Sequence, residues 1–304
     1  MRRFLVTILS VLMLVTLTGC GGGSGEGVAY LCFDRADAFG GTLIGEAFEK
    51  AAQSKGLNVT YYDAKGDANL QVDQMKEAVA NGVKSIVLLA ADGDILAPEV
   101  VNANEKGITV ITVNRGVNGG EHFDVMSDDF EAGKLQGEYL SSTLPQGAQI
   151  AYLEGENTQG SARKRWEGFK ASCLDKRSDI KLLDMQDGGW SKTEGMKITA
   201  LWLTLFPKID AVVCGNDQMA LGAVAALKAA NRLQGCQVSG VDAVDDALKA
   251  IANGEMVQTI KQDAVKQAEG AAELAATVES GGSPSNITVP FVSITKENLS
   301  QYAK

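Results

Sequence analysis

The sequence predicts an α/β protein made of two similar doubly wound lobes, each a parallel sheet covered by helices on both faces. Three observations carry that expectation. Short β-type runs alternate with helical stretches after Gly27; the alternation restarts after a Gly-rich break at 116–120; and Ala29-Tyr30-Leu31 recurs as Ala151-Tyr152-Leu153 at the head of the second half. Strands separated by helices pair in parallel, and right-handed crossovers then cover both faces of the sheet.

The elements follow in order. Val28 to Phe33 is an apolar run of strand length, followed by a helix over roughly 42–55 that stops at Gly56, a C-terminal cap. Next come a strand from Leu57 to Tyr62, a helix over 69–81 closed by Gly82, and a strand from Ser85 to Leu89. A helix after Pro98, ending near Gly107, and a strand from Ile108 to Val113 complete the first half. The second half repeats the outline, with strands at 149–153, 180–185, 211–214 and 237–241 and helices near 130–140, 164–174, 193–205 and 219–230. The 45 % apolar content suffices for one large domain or two ordinary ones and excludes disorder as the main state.

The first residues are of another kind. Arg2 and Arg3 precede an apolar run from Phe4 to Leu17, too short for a confident membrane span, which reads as an export signal. Leu17-Thr18-Gly19-Cys20 resembles a bacterial lipobox, so residues 1–19 are expected to be removed and Cys20 to become the lipid-modified first residue. Residues 20–27 would then be a Gly-rich tether, with the folded part starting near Val28. The expected location is the outer face of the bacterial membrane or the periplasm. Four cysteines remain; Cys32 and Cys214 sit in apolar runs as small hydrophobes, and export permits a Cys173–Cys236 disulfide without establishing it.

A net charge of −10 with 28 basic residues argues against a nucleic-acid surface. Enzyme readings fail on inventory. His122 is the single histidine and lies in a Gly- and Glu-flanked loop, with no nucleophile elbow nearby. Asp128-Asp129 and Asp245-Asp246 are adjacent pairs, suited to capping and not to flanking a scissile glycosidic bond. The Gly-rich tract at 21–27 lacks a Walker lysine. No cofactor is called for.

In open parallel sheets, ligand contacts gather beyond the carboxyl ends of the strands. Those ends carry Asp34, Asp37 and Phe39, then Asn114 and Arg115, then Asn216 and Asp217, and finally Asp242, while Arg165 and Trp190 follow turns of the second half. Carboxylates, amides and guanidinium groups can each meet two neighbouring hydroxyls, and aromatic rings can cover the C–H faces of a sugar. Each Asp or Asn taken alone could simply cap a turn; the recurrence at nearly every strand end is what points to a ligand.

At these residues the chain resembles the periplasmic sugar-binding proteins of ABC importers, in the galactose/glucose-binding branch of the type I fold, with ribose-binding proteins as close cousins. The most specific stretches are Val212 to Ala223 (VVCGNDQMALGA), Gly240-Val241-Asp242-Ala243, Val289-Pro290-Phe291-Val292, and Ser127-Asp128-Asp129 with Gly133 and Gln136-Gly137. The resemblance covers Val28 to Lys304. It implies that Asp37 contacts ring hydroxyls, that Phe39 and Trp190 stack on opposite sugar faces, and that Asn114, Arg165, Asn216, Asp242 and Gln262 supply further hydrogen bonds. Arg115 is counted with them as a ligand-binding residue. Gln159 and Ser161 stand where the branch has His and Asp, and Phe33 where a tyrosine is usual, which leaves the sugar open between glucose or galactose and a pentose such as ribose or xylose.

The same resemblance implies three crossings between lobes, near Met126 to Asp128, Gln262 to Ala264 and Val289 to Phe291. The lobes would then be 28–126 plus 264–289, and 127–263 plus 290–304. It implies capture by hinge closure and delivery to a membrane ABC permease by a monomer, or alternatively reading by a chemoreceptor or sensor kinase. Some relatives carry a calcium loop, but Ser141 to Gln149 holds no carboxylate, so no metal is expected there and Asp210 reads as an ordinary strand-start acid.

Overall fold

The computed structural model describes residues 27–302. The expected signal sequence and Cys20 lie outside the described residues. β1 (Val28–Cys32), α1 (Gly45–Ser54), β2 (Val59–Asp63), α2 (Ala68–Ala80), β3 (Ser85–Leu88), α3 (Gly93–Glu105), β4 (Thr109–Val113) and β5 (Phe123–Met126) build the first lobe. α4 (Asp129–Thr143), β6 (Gln149–Glu154), α5 (Gly160–Phe169), β7 (Lys181–Asp187), α6 (Lys192–Leu205), β8 (Ala211–Cys214), α7 (Asp217–Ala229), β9 (Gln237–Asp242), α8 (Asp245–Ala252) and β10 (Gln258–Lys261) build the second. The chain then returns to the first lobe through α9 (Ala264–Glu279) and β11 (Ile287–Thr288) and ends in the second on β12 (Val292–Thr295).

The sheets have the orders β11-β5-β4-β3-β1-β2 and β12-β10-β9-β8-β6-β7, the same topology twice. Every pairing is parallel except that of β12 with β10. Each sheet is covered on both faces because successive side chains on a strand point to opposite sides. Val28, Tyr30 and Cys32 pack with Phe48 of α1 and Ala268 and Ala272 of α9, while Ala29 and Leu31 face Met75 of α2 and Leu96 of α3. In the second lobe Ala151 and Leu153 meet Trp202, Met219 and Ile251, and Ile150 and Tyr152 meet Leu140 and Phe169. Burial of each large side chain is worth about 1.5–3 kcal/mol, so slipping a strand by one residue would forfeit several at once.

The described residues decide one open point and correct two expectations. Cys173 and Cys236 are free and buried on opposite faces of the second sheet, in the clusters of Phe169 and Trp202 respectively, so the permitted disulfide is not formed. α3 starts ahead of Pro98, at Gly93, because the Asp92 carboxylate accepts from Asp94 N and Ile95 N and nucleates the helix one turn earlier. Residues 38–44 form a π-type turn before α1 instead of its first α-helical residues. The sequence reading also passed over β5, α8, β10 and α9, which are short or alanine-rich. Asp210 accepts from Gln149 N at 2.8 Å and pairs with Lys208 at 2.9 Å.

α4 and α5 approach so closely that a Cβ at Gly133 would lie 1.8 Å from Arg165 O, and one at Gly168 would lie 2.0 Å from Phe130 O. Only glycine fits at either position. On the other side of α4, fully buried Gln136 donates to Cys214 O at 3.1 Å and Gly240 O at 3.3 Å, tying together the ends of β8 and β9.

Candidate functional site

The carboxyl ends of both sheets face one another across a cleft. Asp37, Phe39, Asn114 and Arg115 line it from the first lobe; Gln159, Ser161, Arg165, Trp190, Asn216, Asp242 and Gln262 line it from the second lobe and the hinge. These eleven residues, expected from the sequence to bind ligand, meet at one place, joined by Gly40, which sequence reasoning missed. The cleft encloses ≈ 60 Å³, several times the ~15 Å³ one water needs.

Local backbone chemistry orients each group. One oxygen of Asp37 accepts from Phe39 N at 3.1 Å and Gly40 N at 2.6 Å, which caps the π-type turn and leaves the second oxygen for the cleft. Asn216 caps α7 through Met219 N at 2.9 Å and donates to Trp190 O at 3.2 Å. Arg165 donates from Nε to Asp129 at 2.8 Å, from Nη1 to Gly215 O at 2.7 Å and from Nη2 to Gln262 at 3.4 Å. Of its five N–H groups, two stay free. The Arg115 guanidinium lies 3.6 Å from the centroid of the Phe33 ring, a cation–π contact. The side-chain amide of Gln159 donates to Glu156.

Electrostatics make the site hungry for hydrogen-bond donors and acceptors. Asp242 is buried and accepts no hydrogen bond among the described residues; burial raises its pKa well above the carboxylate range, against the pull of Arg165 and with further repulsion from Asp217 and Asp37. Burial also lowers the pKa of Arg115, while Asp37 and Glu156 oppose that effect. For Arg165 burial again works against the charge, but Asp129 and Asp242 outweigh it and hold the pKa above the usual arginine value. The indole Nε1 of Trp190 is buried without a partner among the described residues.

Backbone strain gathers at the same place. Asn114 (φ 62°), Trp190 (φ 58°), Asp242 (φ 123°) and Ala243 (φ 60°) all hold conformations that favour glycine. Such residues persist only where surrounding contacts over-determine them. Asn114 is held by its own N–H to Val125 O at 3.2 Å and by its amide near Gln267 at 3.5 Å. The 242–244 loop is held by Asp217: its carboxylate accepts from Val244 N at 3.0 Å and from Thr259 Oγ1 at 2.7 Å, and Thr259 Oγ1 accepts from Ala243 N at 3.1 Å. Gly155 lies flat on the Trp190 indole, where a Cβ would come within 2.1 Å of the ring.

Not every strand-end acid reaches the cleft. Asp34 accepts from Ala36 N at 2.8 Å in a local turn, and Asp217 lies beneath the loop it braces. His122 sits partly exposed, with Nδ1 3.1 Å from Gly120 O. Asp129, Gln267 and Thr259 went unrecognised because their signal is long-range: each touches the cleft through a residue far away in sequence. Among the described residues there is no group of three or more His, Cys, Asp or Glu arranged to hold a metal ion, and no helix long and apolar enough to cross a membrane.

Residues 28–283 match the profile of a family described as a periplasmic binding protein domain. A putative rhizopine-binding protein of Rhizobium meliloti is 30% identical over 311 residues, spanning 99% of both chains. A ribose import binding protein of Haemophilus influenzae is 28% identical over 258 residues, covering 84% of this chain and 87% of its own. An ABC transporter solute-binding protein from Bacillus halodurans, solved with bound myo-inositol, superposes with a TM-score of 0.87 at 28% identity, covering 93% of this chain and 99% of that one.

Proposed function

Because the chain belongs to the periplasmic binding protein domain family, we propose that its cleft captures one neutral polyhydroxylated ring of hexose size, an aldohexose such as glucose or galactose or the cyclitol myo-inositol, for an ABC permease. At the coarser level, this is a sugar-binding solute-binding protein of an ABC importer, working in the periplasm.

The observation that carries the ligand reading is the gathering of acids and guanidinium groups between aromatic walls. Asp37 and Asp242 offer acceptors, Arg115 and Arg165 offer donors, and Phe39 and Trp190 flank the same space. A hydroxyl donates one hydrogen bond and accepts others, so a ring of hydroxyls can serve carboxylate and guanidinium at once. Two acids against two bases favour a neutral ligand over a carboxylate or phosphate. A relative that imports ribose and a structural neighbour holding myo-inositol support the polyol class and leave ring size to be measured.

Capture proceeds by closure. A ligand resting on one lobe recruits the other lobe's groups when the hinge bends, and the closed state gains population only by that differential binding. The Asp242 carboxyl, which makes no side-chain hydrogen bond among the described residues, faces the cleft and is free to meet ligand hydroxyls. The lipobox-like segment supports a second element of the reading, that Cys20 is lipid-modified and tethers the protein to the membrane.

The test is a thermal-shift screen of ligand-stripped protein against glucose, galactose, myo-inositol, ribose, xylose and xylitol. Binding at a hundredfold excess over Kd stabilises by about 2.7 kcal/mol, a rise of roughly 5–10 °C for a chain of this size. Shifts with a hexose or myo-inositol are expected. A shift with ribose or xylose alone would move the reading to a pentose, and silence from the whole panel would overturn the polyol cleft.

A further inference from the structure

The Arg165 guanidinium touches more than the cleft. Its Cζ lies 5.5 Å from the Trp190 ring on the ligand side. It also meets the second-lobe end of each of the three segments that join the lobes. Asp129, two residues after Ser127 leaves the first lobe, accepts from Nε at 2.8 Å. Gln262, immediately after β10, accepts from Nη2 at 3.4 Å. The ring of Phe291, just before β12, lies 5.8 Å beneath Cζ. One planar cation therefore has all three connections around it, and a charge-assisted bond to Asp129 fixes its orientation.

Asp129 is placed for this and for nothing else. The N-terminus of α4 is capped by its neighbour: the Asp128 carboxylate accepts from Phe130 N at 3.0 Å. Asp129 turns away from the helix end towards Arg165, and the side chains of the pair are only 16% and 6% exposed, with arginine the more buried. The glycine contact between α4 and α5 at Gly133 and Arg165 O sets the backbone distance that lets this short acid reach. Glu131, in the same first turn, points elsewhere and pairs with Lys134 at 2.9 Å.

We propose that Asp129 is a positioning residue that, by holding Arg165 against Gln262 and Phe291, locks the three interlobe segments into one unit and couples occupancy of the cleft to hinge closure. The inference rests on the cleft being the ligand site. Without Asp129, Arg165 keeps its bond to Gly215 O but loses the anchor that aims it at the hinge. The three segments would then bend independently, and closure would no longer follow from ligand contact.

The experiment compares hydrogen–deuterium exchange of the purified ligand-free protein with that of Asp129→Ala, reading peptides over 127–131, 261–264 and 289–292. Exchange should quicken at least about tenfold in all three, as loss of one charge-assisted hydrogen bond implies, while β6 and β8 keep their protection. Glu131→Gln, which removes a charge from the same helical turn, should alter only 127–131. A change in Asp129→Ala confined to 127–131, or one spread equally through the whole second lobe, would overturn the proposal. If the alanine variant does not fold, Asp129→Asn keeps an oxygen for Nε without the charge and should give the same three-segment pattern at smaller amplitude; a single-segment pattern there overturns it equally. Calorimetric titration with myo-inositol, glucose and ribose follows, with a higher Kd expected for the variant. Because the exchange readout needs no ligand, failure of all three probes to bind would count against the polyol reading and leave the hinge result to stand or fall alone.

Discussion

Asp242 shows how one residue trades stability for capture. Its backbone is held at φ 123° and its carboxylate is buried without a hydrogen bond among the described residues, beside the negative charges of Asp217 and Asp37. Nothing in folding favours that arrangement; a hydroxylated ligand does. Asp242→Asn keeps the shape and removes the titratable carboxyl. The ligand-free melting temperature should rise by a few degrees as the cost of ionising a desolvated acid is removed, while affinity falls roughly 100-fold or more through the loss of a carboxyl acceptor. Scanning calorimetry and titration of the same sample check both halves. A variant that binds normally would remove Asp242 from the ligand's contacts.

At the scale of elements, the connection from β9 to α8 is kept in its strained form by Asp217, which reaches up from the start of α7. Burial pushes the Asp217 pKa up to about 7, although the hydrogen bonds from Thr259 and Val244 oppose the shift. An acid whose folded-state pKa lies above its unfolded value of about 3.9 favours folding most when protonated, so its contribution is full below about pH 4 and is lost as the pH rises towards 7. Asp217→Asn should remove that slope. Measured from pH 4 to 8, the melting temperature of the wild type should fall relative to that of the variant as pH rises; parallel curves would show that Asp217 does not titrate in this window.

At the scale of the whole molecule, closure depends on the stiffness of the two lobes. The cleft works only if two lobes, joined at 127–128, 262–263 and 289–291, move as bodies, and each sheet with helices on both faces is stiff enough to do so. If Cys20 carries the lipid, Cys20→Ser should shift the protein from the membrane fraction to the soluble one on cell fractionation. Retention in the membrane fraction would mean that something other than Cys20 anchors it.

The sequence alone determined the α/β class and the repeat of one sheet plan, because strand and helix periodicities and Gly stops are local. It also drew attention to the strand ends, since Asn114 and Asp242 follow apolar runs directly and Asp37 and Asn216 within a few residues. Gln159, Ser161 and Gln262 were reached only through family resemblance, because nothing local distinguishes them from solvated loop residues. What tertiary structure alone decided is which polar groups share a space. Asp129 and Asp128 are neighbours of the same type in sequence, yet one caps a helix and the other anchors Arg165 36 positions away. Cys173 and Cys236 could have paired by count, and the sheet between them keeps them apart. Asp217 and Asp242 sit at equivalent strand ends, but only burial beneath the 242–244 loop makes one a brace and leaves the other open to the cleft. The reason is common to all three: periodicity records which face of its own element a residue occupies, whereas partnership and desolvation depend on elements far away in the chain, brought together only when the sheets fold.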